Sequence, residues 1–501
     1  MRERRLWAAL FCLLVFVGLL TGCSGKEERT LNRMLVELAG SDATVDASDW
    51  KQLTDYVDAH KKHFKSFYDD GKLDSQALRQ YVENFFGHRR EPIEVSFVGI
   101  EGEQPVVSLY LERSGSMTAY DTRDGDGSFK AAIMQLLNSL PQGSEENKIY
   151  VVNSEINAYP EGFARFLSDK DIFESTKGIG DASYTDFAAI FRQLLGSATA
   201  NEISILVTDM IYSTRDMAGV NPEKTFAEAQ SMTNAVFREQ VEDRSMLFVK
   251  MNASYNGFYY PYNSPKGGVG YNGRRPYYIV VTGSNDNMKR VSGDADYAQF
   301  RKFDELRGFE HMYLYAADDI YSPHYTLLLT HPDIRGRFHP KRGQSERITK
   351  IEGVGEDRDS GDLRLVMAVD LSGMLIDDDY LTNPDNYLVS ADDKVKIDEI
   401  KPIGKTDVSA AEKKYVGNAT HLFVLSLDKF SHRQKIDIRL QNRLPEWVEQ
   451  SSSDNDADTG APNFATTTFG LKYLMQGIYD SYGRKSHGNQ AYFEMELELN
   501  K

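Results

Sequence analysis

The spacing of apolar positions changes along the chain, and each change marks a different kind of element. Between residues 30 and 90, Trp50, Leu53, Tyr56, Val57, His60, Phe64 and Phe67 recur at intervals of three and four, and Leu78, Tyr81, Val82 and Phe85 repeat the stripe. That spacing predicts a small helical module, with Ser48 as an N-cap. From Pro105 onward, short apolar runs alternate with helical stripes. Pro105–Leu111, Lys148–Val152, Ile156–Tyr159, Ile203–Val207, Met246–Met251 and Tyr277–Val281 read as strands. Ser128 opens a helix that Pro141 ends; further helices are expected over Phe187–Leu195, Phe226–Val241 and about 296–306. Strands alternating with helices predict a doubly wound, mostly parallel α/β sheet, its near-continuous apolar strands covered on both faces. From about 345 the period falls to two: Leu363, Leu365, Met367 and Val369, then Leu422 and Val424, then Ile436, Ile438 and Leu440. This predicts an antiparallel β-sandwich of immunoglobulin-like type.

The expected order is a leader over 1–22, a tether and helical module over 23–95, the α/β domain over 96–335 and the sandwich over 345–445. A Ser/Asp/Asn-rich exposed linker (446–463) follows, with a C-terminal helix and strand up to 501. Length and composition agree with several cores: 501 residues, 41% hydrophobic and 11% aromatic, too apolar for disorder. A net charge of −17 argues against a nucleic-acid partner.

The candidate chemistry lies in the α/β region. Leu109-Tyr-Leu-Glu-Arg-Ser-Gly-Ser-Met117 ends an apolar run on a carboxylate and follows it with two hydroxyls. Thr185 stands just before a predicted helix, and Asp209 just after a predicted strand. An oxygen set without Cys or His suits a hard divalent cation rather than zinc. Ligands of open α/β sheets gather at the carboxyl ends of strands, where Glu112 and Asp209 fall. The ordered segments resemble the von Willebrand factor type A family, whose metal site is written Asp-x-Ser-x-Ser, then Thr, then Asp. The resemblance covers roughly 104–320 and maps onto Glu112, Ser114, Ser116, Thr185 and Asp209. It implies an adhesion-type site holding Mg²⁺, or Ca²⁺ or Mn²⁺, whose open position takes an acidic side chain of a partner protein. Two departures stand out: the first acid is Glu112 instead of Asp, and Met210 occupies the usual Gly position. Glu112 leaves direct ligation, action through water, and a preference for Ca²⁺ all open.

At the N-terminus, Arg2, Arg4 and Arg5 precede an apolar run from Leu6 to Leu20, too short for a comfortable membrane span and shaped like a secretory signal. Leu20-Thr-Gly-Cys23 resembles the bacterial lipobox, which implies acylation of Cys23, cleavage before it, and attachment to the membrane through lipid. An uncleaved anchor helix is the other reading. Ser24 points away from inner-membrane retention by the same resemblance, so the outer membrane, on its periplasmic or surface face, is the expected location. Lys26-Glu-Glu28 reads either as a surface-export signal or as a solvated tether. Cys12 lies in the leader, so the mature chain has no thiol beyond Cys23 for a disulfide, redox step or nucleophile.

Other features carry less. Asp121, Asp124 and Asp126 are the place for a second cation, though the closing Glu of a calcium loop is absent, and a solvated turn is the plainer reading. Val369-Asp-Leu-Ser-Gly-Met374 imitates the metal motif without its second serine and reads as a strand and turn. His60 and His63 have no third ligand nearby in sequence. The Tyr/Gly-rich stretch 255–276 reads as a long loop, either a recognition surface or folded onto a neighbour with its tyrosines buried. No hydrolase, phosphate-binding or dinucleotide motif occurs, which favours binding over catalysis. The expected function is that of a lipid-anchored envelope protein binding a partner through a cation; the alternative is a metal-free structural subunit with a degenerate site.

Overall fold

The computed structural model describes the chain from residue 25 to residue 501 apart from short stretches, the longest being 98–104, 142–146, 197–201, 213–219 and 486–490. The leader, Cys23, Ser24 and His432 lie outside the described residues. Among the described residues, no helix is long and apolar enough to cross a membrane.

The chain divides into two compact units, 1–103 and 104–501. In the first, helices α1 (Lys26–Ala39), α2 (Ala47–Ala59) and α3 (Ser75–Gly87) bury Leu31, Leu35, Trp50, Leu53, Val57, Leu78, Val82 and Phe86. Lys26, Glu27 and Glu28 form the first turn of α1. Their acidic members thus sit at the positive end of a helix dipole, where a bare tether was one of the expected readings. His60 is engaged by the Tyr56 carbonyl oxygen (2.9 Å) and His63 lies 3.8 Å from Glu27, so the two have separate structural partners.

The second unit begins with β1 (Val106–Glu112), α4 (Ser128–Asn138), β2 (Lys148–Val152) and β3 (Ile156–Ala158). It continues with α5 (Phe187–Gly196), β4 (Glu202–Thr208), α6 (Pro222–Phe237), β5 (Arg244–Tyr259), β6 (Val269–Ser284), α7 (Asn285–Gly293) and β7 (Phe309–Tyr315). The sheet order is β7-β5-β6-β4-β1-β2-β3. Only β1 with β2 and β1 with β4 pair in parallel; the remaining neighbours are antiparallel. The sheet is therefore mixed, not mostly parallel as the alternating pattern suggested, because β5 and β6 form one long hairpin. That hairpin also corrects the expected 255–276 loop: pairing runs out to Tyr259 opposite Val269. Tyr255 and Tyr259 are buried while Phe258 between them is exposed, a period of two that Gly and Asn obscure in the sequence. The helix expected at about 296–306 is instead α7, capped by Ser284 through Asn287 N–H (3.2 Å), followed by single 3-10 turns.

Every residue of β4 is buried and all of β1 beyond Val106, as central strands require. Helix α5 adds Phe187, Ile190, Phe191, Leu194 and Leu195 to the same core, one stripe at helical spacing. Helix α6 starts at Pro222 behind Asn221, whose side chain accepts from Glu223 N–H (3.1 Å).

Two further sheets follow. One has the order β8 (Tyr325–Leu327), β11 (Leu363–Val369), β14 (His421–Leu427), β13 (Val395–Pro402). The other runs β9 (Arg337–Pro340), β10 (Lys350–Gly355), β16 (Ala491–Leu499), β15 (Gln434–Gln441), β12 (Tyr387–Ser390). They face each other through contacts such as Tyr387 against Phe423, ring centroids 5.2 Å apart. The C-terminal strand thus lies inside the second sheet, and the strands start before 345. The 369–374 segment is a strand end and turn, Asp370 accepting from Ser372 N–H (2.9 Å).

Nor is 446–463 an exposed linker throughout: Trp447 and Asp456 are buried, and Phe464 just beyond it is buried too. Helix α8 (Leu471–Lys485) then lies along α6, with Asn234 donating to the Gly477 carbonyl (3.4 Å) and Gln230 to Asp480 (3.3 Å). One buried apolar cluster consequently runs from the α/β sheet into the paired sheets.

The approach of α8 to α6 is close enough to test. A Cβ on Gly477 would stand 2.5 Å from the Gln230 carbonyl oxygen and press on Thr233. Helix propensity favours Ala over Gly by about 1 kcal/mol, but overpacking costs about 1–3 kcal/mol. Gly477→Ala should therefore lower the melting temperature. Gly196→Ala, where a Cβ meets nothing within 4 Å, should leave it unchanged or raise it.

Candidate functional site

The chain leaves β1 towards β2 on one side, while β4 pairs with β1 on the other, so the carboxyl ends of β1 and β4 open at a topological switch point. Glu112 is the last residue of β1, and Asp209 follows the last residue of β4. The Ser114–Ser116 turn leaves β1, and Thr185 lies two residues before α5. All five sequence-predicted residues come together there, linked by hydrogen bonds. Thr185 Oγ1 donates to Glu112 Oε1 at 2.5 Å. Ser116 Oγ donates to Asp209 Oδ2 at 2.6 Å, and Ser114 Oγ lies 3.0 Å from Ser116 Oγ. Ser116 has a single proton and gives it to Asp209. Glu112 is 2% exposed, Asp209 2%, Thr185 5% and Ser114 8%.

Sequence reasoning missed two contributors. Thr208 Oγ1 donates to Glu112 Oε2, and it accepts from Met210 N–H (2.9 Å). Inside an apolar strand a threonine reads only as a β-former. The second is Arg275, 2% exposed, its guanidinium 4.0 Å from the Phe464 ring centroid and 4.8 Å from that of Tyr259. Within a Gly/Tyr-rich stretch, nothing marked it as buried.

The turn after β4 explains one departure from the resembling family. Met210 has φ 55°, a left-handed conformation that glycine adopts without strain. Methionine accepts about 1–2 kcal/mol of backbone strain there and places a fully buried side chain in the core. Asp209 Oδ1 accepts from Ile211 N–H (3.1 Å) and fixes the turn. On the opposite wall, a Cβ at Gly115 would meet the Tyr260 ring at 2.9 Å, so the hairpin rests directly on the serine turn.

Burial, and then the charge of Asp209, push the Glu112 carboxyl up to about 8, against the hydrogen bonds of Thr185, Thr208 and Ser114. Burial also raises Asp209, opposed by Ser116, the Ile211 N–H and the charge of Arg275. Two carboxylates and three hydroxyls, with no nitrogen or sulfur, fit a hard divalent cation. Each hydroxyl that gives its proton away keeps acceptor lone pairs for such an ion.

The acidic loop has other partners. Asp126 accepts from Ser128 N–H (2.9 Å) and Ser254 Oγ (2.8 Å), with Arg274 3.3 Å away. Despite desolvation, the bonds from Ser128 and Ser254 and the charge of Arg307 hold its carboxyl well below the usual range. Asp121 accepts from Ile172 N–H (3.2 Å). Asp121, Asp124 and Asp126 are not gathered, and no group of three or more His, Cys, Asp or Glu placed to hold a metal occurs among the described residues. The loop serves α4 and the hairpin instead. No protein-family model, curated protein or solved structure matches the chain.

A pH dependence follows from the buried pair. A carboxyl whose pKa is higher folded than unfolded binds its proton more tightly in the folded state. Its stabilisation is complete below the unfolded value near 4.5 and is lost as pH rises towards about 8. In chelated buffer the melting temperature should fall across that window, and Glu112→Gln should flatten the fall. Parallel pH profiles for wild type and variant would contradict this assignment.

Proposed function

We propose that the chain is a lipid-anchored cell-envelope protein, acylated at Cys23 and favouring the outer membrane. It binds a partner protein through a divalent cation held by Glu112, Ser114, Ser116, Thr185 and Asp209. The observation that carries this reading is the hydrogen-bonded convergence of those side chains at the switch point of the sheet. Neutral hydroxyl ligands leave a bound cation under-neutralised, so it attracts one more anionic oxygen, supplied here by an acidic side chain of the partner. Mg²⁺ is the first candidate, with Ca²⁺ and Mn²⁺ next. The reading treats the 104–320 region as a type A adhesion domain and the paired sheets as an immunoglobulin-like support. It assigns binding, not catalysis.

One observation favours a second reading, a metal-free structural subunit. Both Glu112 oxygens already accept threonine hydroxyls, so each has a hydrogen-bond donor without an ion. Partner contacts would then come from the hairpin and the paired sheets.

Ligand binding at a hundredfold excess over Kd stabilises a folded protein by about 2.7 kcal/mol. Mg²⁺ or Ca²⁺ should therefore raise the wild-type melting temperature reversibly with EDTA. A Ser114→Ala/Asp209→Ala double variant should show no such rise. Equal behaviour of both proteins with and without EDTA would favour the metal-free reading, as would partner capture that ignores chelation but fails when 255–275 is shortened.

A further inference from the structure

We infer that Thr208 decides which cation the site accepts: by holding Glu112 Oε2 while Thr185 holds Oε1, it denies Glu112 a two-oxygen grip and favours a small cation of the Mg²⁺ class. The inference rests on the cation-binding reading above and adds a residue that the family motif does not include. Ca²⁺ takes six to eight oxygens at about 2.3–2.6 Å and commonly uses carboxylates through both oxygens. Mg²⁺ holds to six at about 2.0–2.1 Å and retains water. A carboxylate that is to clasp an ion with two oxygens must turn both towards it.

Glu112 does not have that freedom. Its oxygens are held from two separate elements, Oε1 by Thr185 ahead of α5 and Oε2 by Thr208 at the end of β4. Thr208 is fully buried, and its position is fixed in turn by the Met210 N–H it accepts (2.9 Å). With its proton given to Glu112 and a lone pair given to Met210, its hydroxyl is committed to the scaffold. It is therefore a positioning residue, and its removal frees one Glu112 oxygen without deleting a proposed ligand. The glutamate is one methylene longer than the family's aspartate, and its Oε2 meets the threonine hydroxyl.

The test is isothermal titration calorimetry of the mature full-length chain with MgCl2, MnCl2 and CaCl2. Wild type should bind Mg²⁺ and Mn²⁺ more tightly than Ca²⁺. Thr208→Val, which keeps the shape and removes the hydroxyl, should move the Ca²⁺/Mg²⁺ affinity ratio towards Ca²⁺ by about tenfold or more. Thr208→Ser, which restores the hydroxyl, should keep the wild-type ratio. Binding of all three ions by Thr208→Val with an unchanged ratio would overturn the inference and leave the cation reading standing. Absence of binding heat for every ion with wild type would defeat the cation reading itself. If Thr208→Val does not fold, Glu112→Gln answers from the other side. It removes one carboxylate oxygen, and the order of cations must stay as in wild type. A selective collapse of Ca²⁺ affinity would reveal a two-oxygen grip and overturn the inference.

Discussion

Two carboxylates, each only 2% exposed, end neighbouring parallel strands, and most of what surrounds them answers the resulting electrostatic problem. Like charges brought close together repel by a few kcal/mol even at an effective dielectric of about 20, before any desolvation cost. The chain meets this with hydroxyl protons directed at the carboxylates and with the Arg275 charge opposing the upward shift of Asp209. A raised Glu112 pKa is the residue of repulsion and burial left uncompensated. Either a retained proton or a bound cation can supply the missing positive charge, and the functional question reduces to which one does.

The same corner is braced from a distance. The hairpin lies close over the serine turn: a Cβ at Gly257 would meet Ala119 at 2.8 Å, and the Tyr255 ring meets Tyr120 edge-on with centroids 4.9 Å apart. Behind it, Tyr259 donates to the buried Asp456 carboxylate at 2.6 Å, and Arg275 stacks on Phe464. Asp456 and Phe464 belong to the segment that leads from the paired sheets to α8. The C-terminal part of the chain therefore immobilises the hairpin, and the hairpin immobilises the loop carrying Ser114 and Ser116. Rigid ligand positions matter for a small ion with strict geometry.

Much of this site could be read before folding because its signals are local. A strand ending in Glu112, a serine turn after it, and an acid after a second apolar run each occupy a few adjacent residues. Thr208 and Arg275 gave no such signal, since their roles depend on partners distant in sequence. The mixed character of the sheet is hidden for a related reason. Apolar runs report burial on both faces but not strand direction, and the antiparallel pairing of β5 with β6 leaves no such mark. The hairpin arm reads as loop in sequence because Gly257, Gly270 and Gly273 weaken the alternation, yet Gly257 is where another backbone approaches closely. Residues 446–463 looked solvated by composition; burial of Asp456 depends on Tyr259 and the Tyr262 N–H, neither of which is near it in sequence.

The central claim, that these oxygens form a cation site, is met most directly by crystals grown with MnCl2 and measured for anomalous scattering. The account predicts a manganese peak among the oxygens of Glu112, Ser114, Ser116, Thr185 and Asp209, with Thr208 still donating to Glu112. The same side-chain cluster at saturating Mn²⁺, with no anomalous density within it, would contradict the account.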